Sequence, residues 1–192
     1  NSNIKPTKNN ILYQLNNVIN YSNNYNELWI HYSGHGTFTI DFNNDEKDNK
    51  DEALVPIDYL ENGLILDDEL NKIISKTQCQ TRVVLDCCHS GTGFDLEHNI
   101  VLQNKKFSYF KEKKIFSNKN SIYMISGCKD NQTSKESFDP KTSKVQGALT
   151  LNLCKLLQKN KYKISIKKLL QSLYSNLSKY VQNPVISSPS KI

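Results

Sequence analysis

Behind Thr7, a residue type that caps helices, Ile11, Leu12, Leu15, Val18 and Ile19 recur at helical spacing, so the pattern predicts a first amphipathic helix. The short apolar run Leu28-Trp-Ile-His-Tyr32 reads as a buried strand that empties into the tight loop Ser33-Gly34-His35-Gly36. Residues 41–52 are acidic and polar. Asp67-Asp68-Glu69 then opens a second helix whose apolar stripe is Leu70, Ile73 and Ile74, the acids suiting the positive end of the helix dipole. Arg82-Val-Val-Leu-Asp86 is a second buried strand, followed by a loop with Gly91 and Gly93, and Ile122-Tyr-Met-Ile125 is a third. Two more helices are marked by Leu149, Leu153, Leu156 and Leu157, and by Ile166, Leu169, Leu170, Leu173 and Leu177. Residues 97–120 show no period and read as a lysine-rich loop, and residues 183–192 read as a loop-like tail. Strands alternating with helices predict an α/β layered domain with a largely parallel sheet flanked by helices.

Length fits a single domain over residues 1–192. The first residue is Asn1 and no apolar leader follows, which reads as a piece of a longer chain. No apolar stretch approaches the ~20 residues a membrane span needs, so no membrane partner is expected. Lys+Arg 25 against Asp+Glu 19 gives a formal charge of +6. That balance invites a nucleic-acid reading, but Arg82 is the only arginine and the lysines are scattered. Base and phosphate readers lean on the bidentate arginine fork. No nucleic-acid partner is expected, and the charge reads as a solvated lysine surface. Five cysteines without regular spacing, and without a CxxC pair, argue for a reducing, intracellular, cytoplasmic setting rather than a disulfide or zinc scaffold.

Unusual polar residues gather at two strand ends: His35 between glycines, and Asp86-Cys87-Cys88-His89-Ser90-Gly91. In an open parallel sheet, reactive groups collect at the carboxyl ends of the strands. A histidine at one end and a cysteine at the next is what nucleophilic thiol chemistry requires. Cys79 and Cys154 read as small buried hydrophobes, and Cys128 as structural. Chemistry alone leaves the nucleophile open between Cys87 and Cys88.

Tyr32-Ser-Gly-His-Gly36 followed by Asp86-Cys-Cys-His-Ser-Gly91 resembles the paired catalytic motifs of metacaspases, the caspase-like cysteine peptidases. Ala53-Leu-Val-Pro-Ile-Asp-Tyr59, Gly63-Leu-Ile-Leu-Asp-Asp-Glu69, Ile125-Ser-Gly-Cys128 and Gly147-Ala-Leu-Thr150 resemble further blocks in the same order. The resemblance implies a caspase-like three-layer sandwich and a cysteine endopeptidase. It makes His35 the general base and Cys88 the nucleophile, with the N–H groups of Cys88 and Gly36 facing the oxyanion. It further implies cleavage after Lys or Arg, with Asp86 and Ser33 lining the substrate pocket, and peptide substrates met by a monomer.

Calcium activation is also implied, with Asp51, Asp67, Asp68 and Asp95 at the matching positions, and hard carboxylate oxygens suit Ca2+. A rival EF-hand-like spacing over Asp41, Asn43, Asp45 and Glu52 has Glu46 where the loop needs glycine, and reads as accidental. Self-cleavage between the two halves would use Lys105, Lys106, Lys111, Lys113, Lys114 or Lys119. The family fold begins with a strand upstream of the first helix seen here, so the chain is expected to lack its first strand and part of the pocket. The alternative function is a non-catalytic caspase-like regulatory or binding module. A redox or metal role for Cys87-Cys88 is weaker, because vicinal cysteines bridge only with strain.

Overall fold

Thr7 stands just outside the first helix, α1 (Lys8–Asn20), where its hydroxyl accepts the Asn10 N–H at 3.3 Å. A second acceptor arrives from far along the chain, as the Asp58 carboxylate takes the Lys8 N–H at 2.8 Å. The computed structural model describes residues 4–41, 49–88, 94, 96–111, 122–127, 136–139 and 143–191. Next come β1 (Glu27–Ser33), β2 (Gly36–Ile40), β3 (Lys50–Leu54), the single turn α2 (Tyr59–Asn62), β4 (Ile65–Leu66) and α3 (Asp67–Ile74). β5 (Gln80–Asp86) leads to the hairpin β6 (His98–Gln103) and β7 (Lys106–Lys111). β8 (Ile122–Ser126) and the pair β9 (Glu136–Asp139) and β10 (Lys144–Gly147) precede α4 (Ala148–Lys159), α5 (Ile166–Leu177) and β11 (Val185–Ser188).

The main sheet has the order β1-β5-β8-β11-β6-β7. β1, β5 and β8 pair in parallel, β11 lies antiparallel between β8 and β6, and β7 pairs antiparallel to β6. Four of the six strands therefore run one way and two run against them. Alternation along β5 sorts its side chains between two cores. Val83 and Leu85 join Leu15, Ile19, Leu70, Ile73 and Ile74 beneath α1 and α3. Val84 joins Leu149, Leu153, Leu169, Leu173 and Leu177 beneath α4 and α5. Helices on both faces of one sheet make an α/β/α sandwich, the layered α/β domain that the alternating pattern predicts and the three-layer form that the resemblance implies.

Three segments differ from the sequence reading. β1, read as a buried strand, lies at the edge of the sheet and alternates exposed with half-buried residues. Residues 98–111 are a hairpin rather than a loop, closed by Asn104 and Lys105, both at positive φ, as a two-residue turn demands. The sequence lacks the Asn-Gly or Asp-Gly that advertises such a turn. The tail is also structured: Val185–Ser188 is fully buried inside the sheet. Its Val185 and Ile186 are too short an apolar run to register, and Ile186 packs with Ile100 and Leu170.

That placement gives a stability prediction. Ile186→Ala should cost ~2–4 kcal/mol in urea unfolding, as truncations of buried isoleucine do. Leu60→Ala, at a residue 84% exposed, should stay within ~0.5 kcal/mol. Equal effects would contradict the interior position of β11.

Candidate active site

Parallel pairing aligns the ends of β1 and β5, with Ser33 opposite Asp86 in the register. His35 lies two residues beyond Ser33 and Cys88 two beyond Asp86, so the two strand-end loops start side by side. Gly36 brings them into contact. A β-carbon on Gly36 would collide with the Cys88 carbonyl oxygen and come within 3.2 Å of the Cys87 sulfur. Neither Gly34 nor Gly36 has positive φ. What the positions require is the absence of a side chain, because the loop backbone runs directly against the backbone of Cys88.

The His35 backbone is pinned from beneath. Its carbonyl accepts the Val55 N–H at 3.0 Å and the Tyr32 hydroxyl at 2.9 Å. Tyr32 folds back under its own loop, where a β-carbon at Gly34 would stand 2.8 Å from the phenol oxygen. Burial, reinforced by the neighbouring Cys87 sulfur, pushes the Tyr32 phenol up to about 12. It therefore keeps its proton, and its donor role, throughout the physiological range. His35 itself is exposed.

The two adjacent cysteines part company. Cys87 is buried in the core beneath α1 and α3, whereas Cys88 is partly exposed at the strand end. Beyond Cys88, Phe94 and Leu96 are both buried in that core, and the Asn71 side-chain amide donates to the Phe94 carbonyl at 2.9 Å. Phe94 is thus tied to α3. Cys79 is buried, as expected. Cys154 is exposed, against the expectation of a buried thiol, because it lies on the outer side of α4. Cys128 lies outside the described residues.

Asp86 is buried, and its Oδ2 accepts both the Thr150 N–H at 2.8 Å and the Thr150 hydroxyl at 2.6 Å. Ser33, its register neighbour, is exposed. Of the four acids expected to hold calcium, Asp51 on β3 and Asp67 at the start of α3 are buried, and Asp68 is half-buried. Asp67 draws the three positions together. Its Oδ2 accepts the N–H of Glu52, the neighbour of Asp51, at 3.0 Å, and its Oδ1 accepts the Asp68 N–H at 2.8 Å. Carboxylate oxygens are the hard donors that suit Ca2+. Among the described residues no group of three or more metal-ligating side chains is assembled, and the fourth acid, Asp95, lies outside them. Of the rival EF-hand-like set, Asp41 and Glu52 are buried, and Asn43 and Asp45 lie outside the described residues.

Of the lysines considered for self-cleavage, Lys105 and Lys106 sit at the exposed tip of the β6–β7 hairpin. Lys111 ends β7, where its ammonium pairs with Glu97 at 2.6 Å. Lys113, Lys114 and Lys119 lie outside the described residues. Sequence reasoning missed Tyr32 and Thr150 as site residues. Both stand within motifs already singled out, but their roles depend on contacts that motif spacing does not encode. No helix among the described residues is long and apolar enough to cross a membrane.

The sequence has counterparts in known proteins. Residues 1–97, which hold His35, Gly36, Asp86 and Cys88, match the Metacaspase, peptidase C14 domain. Metacaspase-1B of Aspergillus terreus is 29% identical over 229 residues, covering 95% of this chain and 60% of the relative. Metacaspase-2 of Arabidopsis thaliana is 32% identical over 154 residues, covering 76% of this chain and 37% of the relative. The chain thus spans less than two thirds of the length of either. A crystal structure of a Geobacter sulfurreducens protein superposes with a TM-score of 0.66 at 22% identity, covering 97% of this chain and 75% of that one, a likeness that carries the fold alone. With a caspase-like α/β/α sandwich, a histidine loop packed against a cysteine strand end, and a family match across half its length, the chain belongs to the metacaspase, peptidase C14 family of cysteine-type peptidases.

Proposed function

We propose that this chain is the catalytic part of a cysteine endopeptidase that cleaves peptides and proteins after Lys or Arg, using His35 and Cys88. The observation that carries the reading is the packing of Gly36 against the Cys88 backbone, which sets the histidine loop beside the exposed member of the cysteine pair. His35 accepts the Cys88 thiol proton as the sulfur attacks the scissile carbonyl. The N–H groups of Cys88 and Gly36 receive the oxyanion, donors of a kind worth ~3–4 kcal/mol each in the transition state. Collapse of the tetrahedral intermediate breaks the C–N bond, and the leaving amine takes the proton from His35. A thioester is left on Cys88. Water then attacks it with His35 again as base, releasing the carboxylic acid and restoring the thiol.

The basic side chain before the scissile bond would be received by Asp86, with Ser33 beside it. A buried carboxylate at the mouth of the strand-end loops is the natural counter-charge for an ammonium or guanidinium. Substrates are therefore peptides carrying Lys or Arg, and the catalytic unit works as a monomer.

Calcium enters as an activator, bound by Asp67 and Asp68 with Asp51 and Asp95. Bound there it would neutralise acids at the start of α3, the helix whose Asn71 holds the Phe94 carbonyl. Of the six candidate lysines, self-cleavage falls at Lys105, Lys113, Lys114 or Lys119 rather than at Lys106 or Lys111. Lys106 and Lys111 are held in a paired hairpin, and a peptidase needs its substrate strand unpaired.

Two measurements test these assignments. Cys88→Ala should lower turnover of Lys and Arg peptides by at least ~10³-fold, as loss of a nucleophile does. Cys87→Ala should keep the activity of the folded fraction. Survival of activity in Cys88→Ala would end the peptidase assignment. Separately, millimolar Ca2+ should raise the melting temperature, and Asp68→Asn should remove that response. Mass mapping of the same calcium-treated samples should find cuts after Lys105, Lys113, Lys114 or Lys119. A melting curve indifferent to Ca2+ would remove the calcium site, and cuts after Lys106 or Lys111 would contradict protection by the hairpin.

A further inference from the structure

The Asp86 carboxylate is held by a set of donors with a definite direction. Helix α4 begins after Gly147, an N-cap with no side chain to offer its first turn. Asp86, 64 residues before Thr150 in sequence, supplies the missing acceptor in space through the Thr150 N–H. Gly147 permits this, since a side chain there would collide with the carboxylate. The Thr150 hydroxyl makes the second bond to the same oxygen, at 2.6 Å.

A third residue completes the set. The His31 Nε2 lies 3.0 Å from the Thr150 hydroxyl oxygen. A hydroxyl carries one hydrogen, and an ionised carboxylate only accepts. The Thr150 hydrogen is therefore spent on Asp86, and the hydroxyl must meet His31 as an acceptor. Nε2 must then carry a hydrogen, which fixes the imidazole tautomer. His31 stands two residues before Ser33, on the same side of β1, so the set reaches Asp86 from the strand that also delivers His35.

We propose that Thr150 and His31 are positioning residues for substrate selection: the relay from His31 Nε2–H through the Thr150 hydroxyl fixes the rotamer and direction in which Asp86 meets a Lys or Arg side chain. The proposal rests on the reading that Asp86 receives that side chain. It assigns neither residue a contact with the reacting atoms. Weakening the relay should therefore raise KM for basic substrates while leaving kcat nearly unchanged. A purely structural role would lower the melting temperature and the active fraction without selecting KM.

The test uses Thr150→Val, which keeps the backbone bond and the shape but removes the hydroxyl, beside Thr150→Ser, which keeps the hydroxyl. Thr150→Val should raise KM for Lys and Arg peptides by about 5–30-fold, the scale of a charge-assisted hydrogen bond, with kcat within about 2-fold. Thr150→Ser should restore KM to within about 2-fold of wild type by the same reasoning. Nitrogen-15 spectra of the wild-type protein should show neutral His31 protonated at Nε2, a signal that needs no turnover. Equal use of Lys and Gln peptides by wild type would overturn the pocket reading itself, and the proposal with it. A Lys preference left unchanged by Thr150→Val, or a His31 protonated at Nδ1, would overturn the relay alone.

Discussion

The parallel pairing of β1 with β5 is the constraint on which the rest of the molecule depends. Its register places Ser33 beside Asp86, and from that alignment the two reactive loops leave the sheet as neighbours. A slip of one residue would turn Val83 and Leu85 out of one core and Val84 out of the other, so both helical layers enforce the register. The cost of misplacing His35 and Cys88 is thereby coupled to the cost of unpacking the domain. Gly36 then converts proximity into contact, because only a bare backbone can lie against the Cys88 carbonyl. The fold and the site are specified by the same strand pair.

Around that contact, each polar group is tied to an element of the scaffold. The His35 carbonyl is fixed by Tyr32 and Val55, the Phe94 carbonyl by Asn71, and Asp86 by the first turn of α4. These ties come from both helical layers and from the small sheet β2-β3-β4. Burying carboxylates such as Asp67 and Asp86 is expensive unless donors meet them, and backbone N–H groups at helix starts do so for both. The site is built less by its reactive residues than by the groups that leave them no other place to be.

The elements legible in the sequence were those whose apolar residues announce a period: α1, α3, α4, α5 and the strands β1, β5 and β8, although β1 is an edge strand and not a buried one. β11 escaped because half of it is serine. Its polar side chains are buried through partners such as Asn99, which bonds Ser187, and a hydropathy pattern cannot see a satisfied serine. The β6–β7 hairpin escaped because its turn uses Asn104-Lys105 without glycine and because β7 is largely exposed. Cys154 was misjudged because an apolar helix still has an outer side. At the site, His35 and Cys88 were legible as residue types at strand ends, and the burial of Cys87 agrees with the choice between the two cysteines. Tyr32 and Thr150 were not, since a tyrosine turned under its own loop and a threonine bonded across 64 residues leave no local trace.

The central claim is that the bare backbone of Gly36 is what lets the histidine loop sit against Cys88, and Gly36→Ala tests it most directly. The measurement is the rate at which Cys88 is alkylated by an electrophilic peptide ketone carrying Lys, followed by intact mass on protein shown by circular dichroism to be folded. The account predicts a folded protein whose labelling at Cys88 is slowed by ~100-fold or more, the scale of displacing a catalytic group by an ångström. A folded Gly36→Ala variant labelled at the wild-type rate would contradict it.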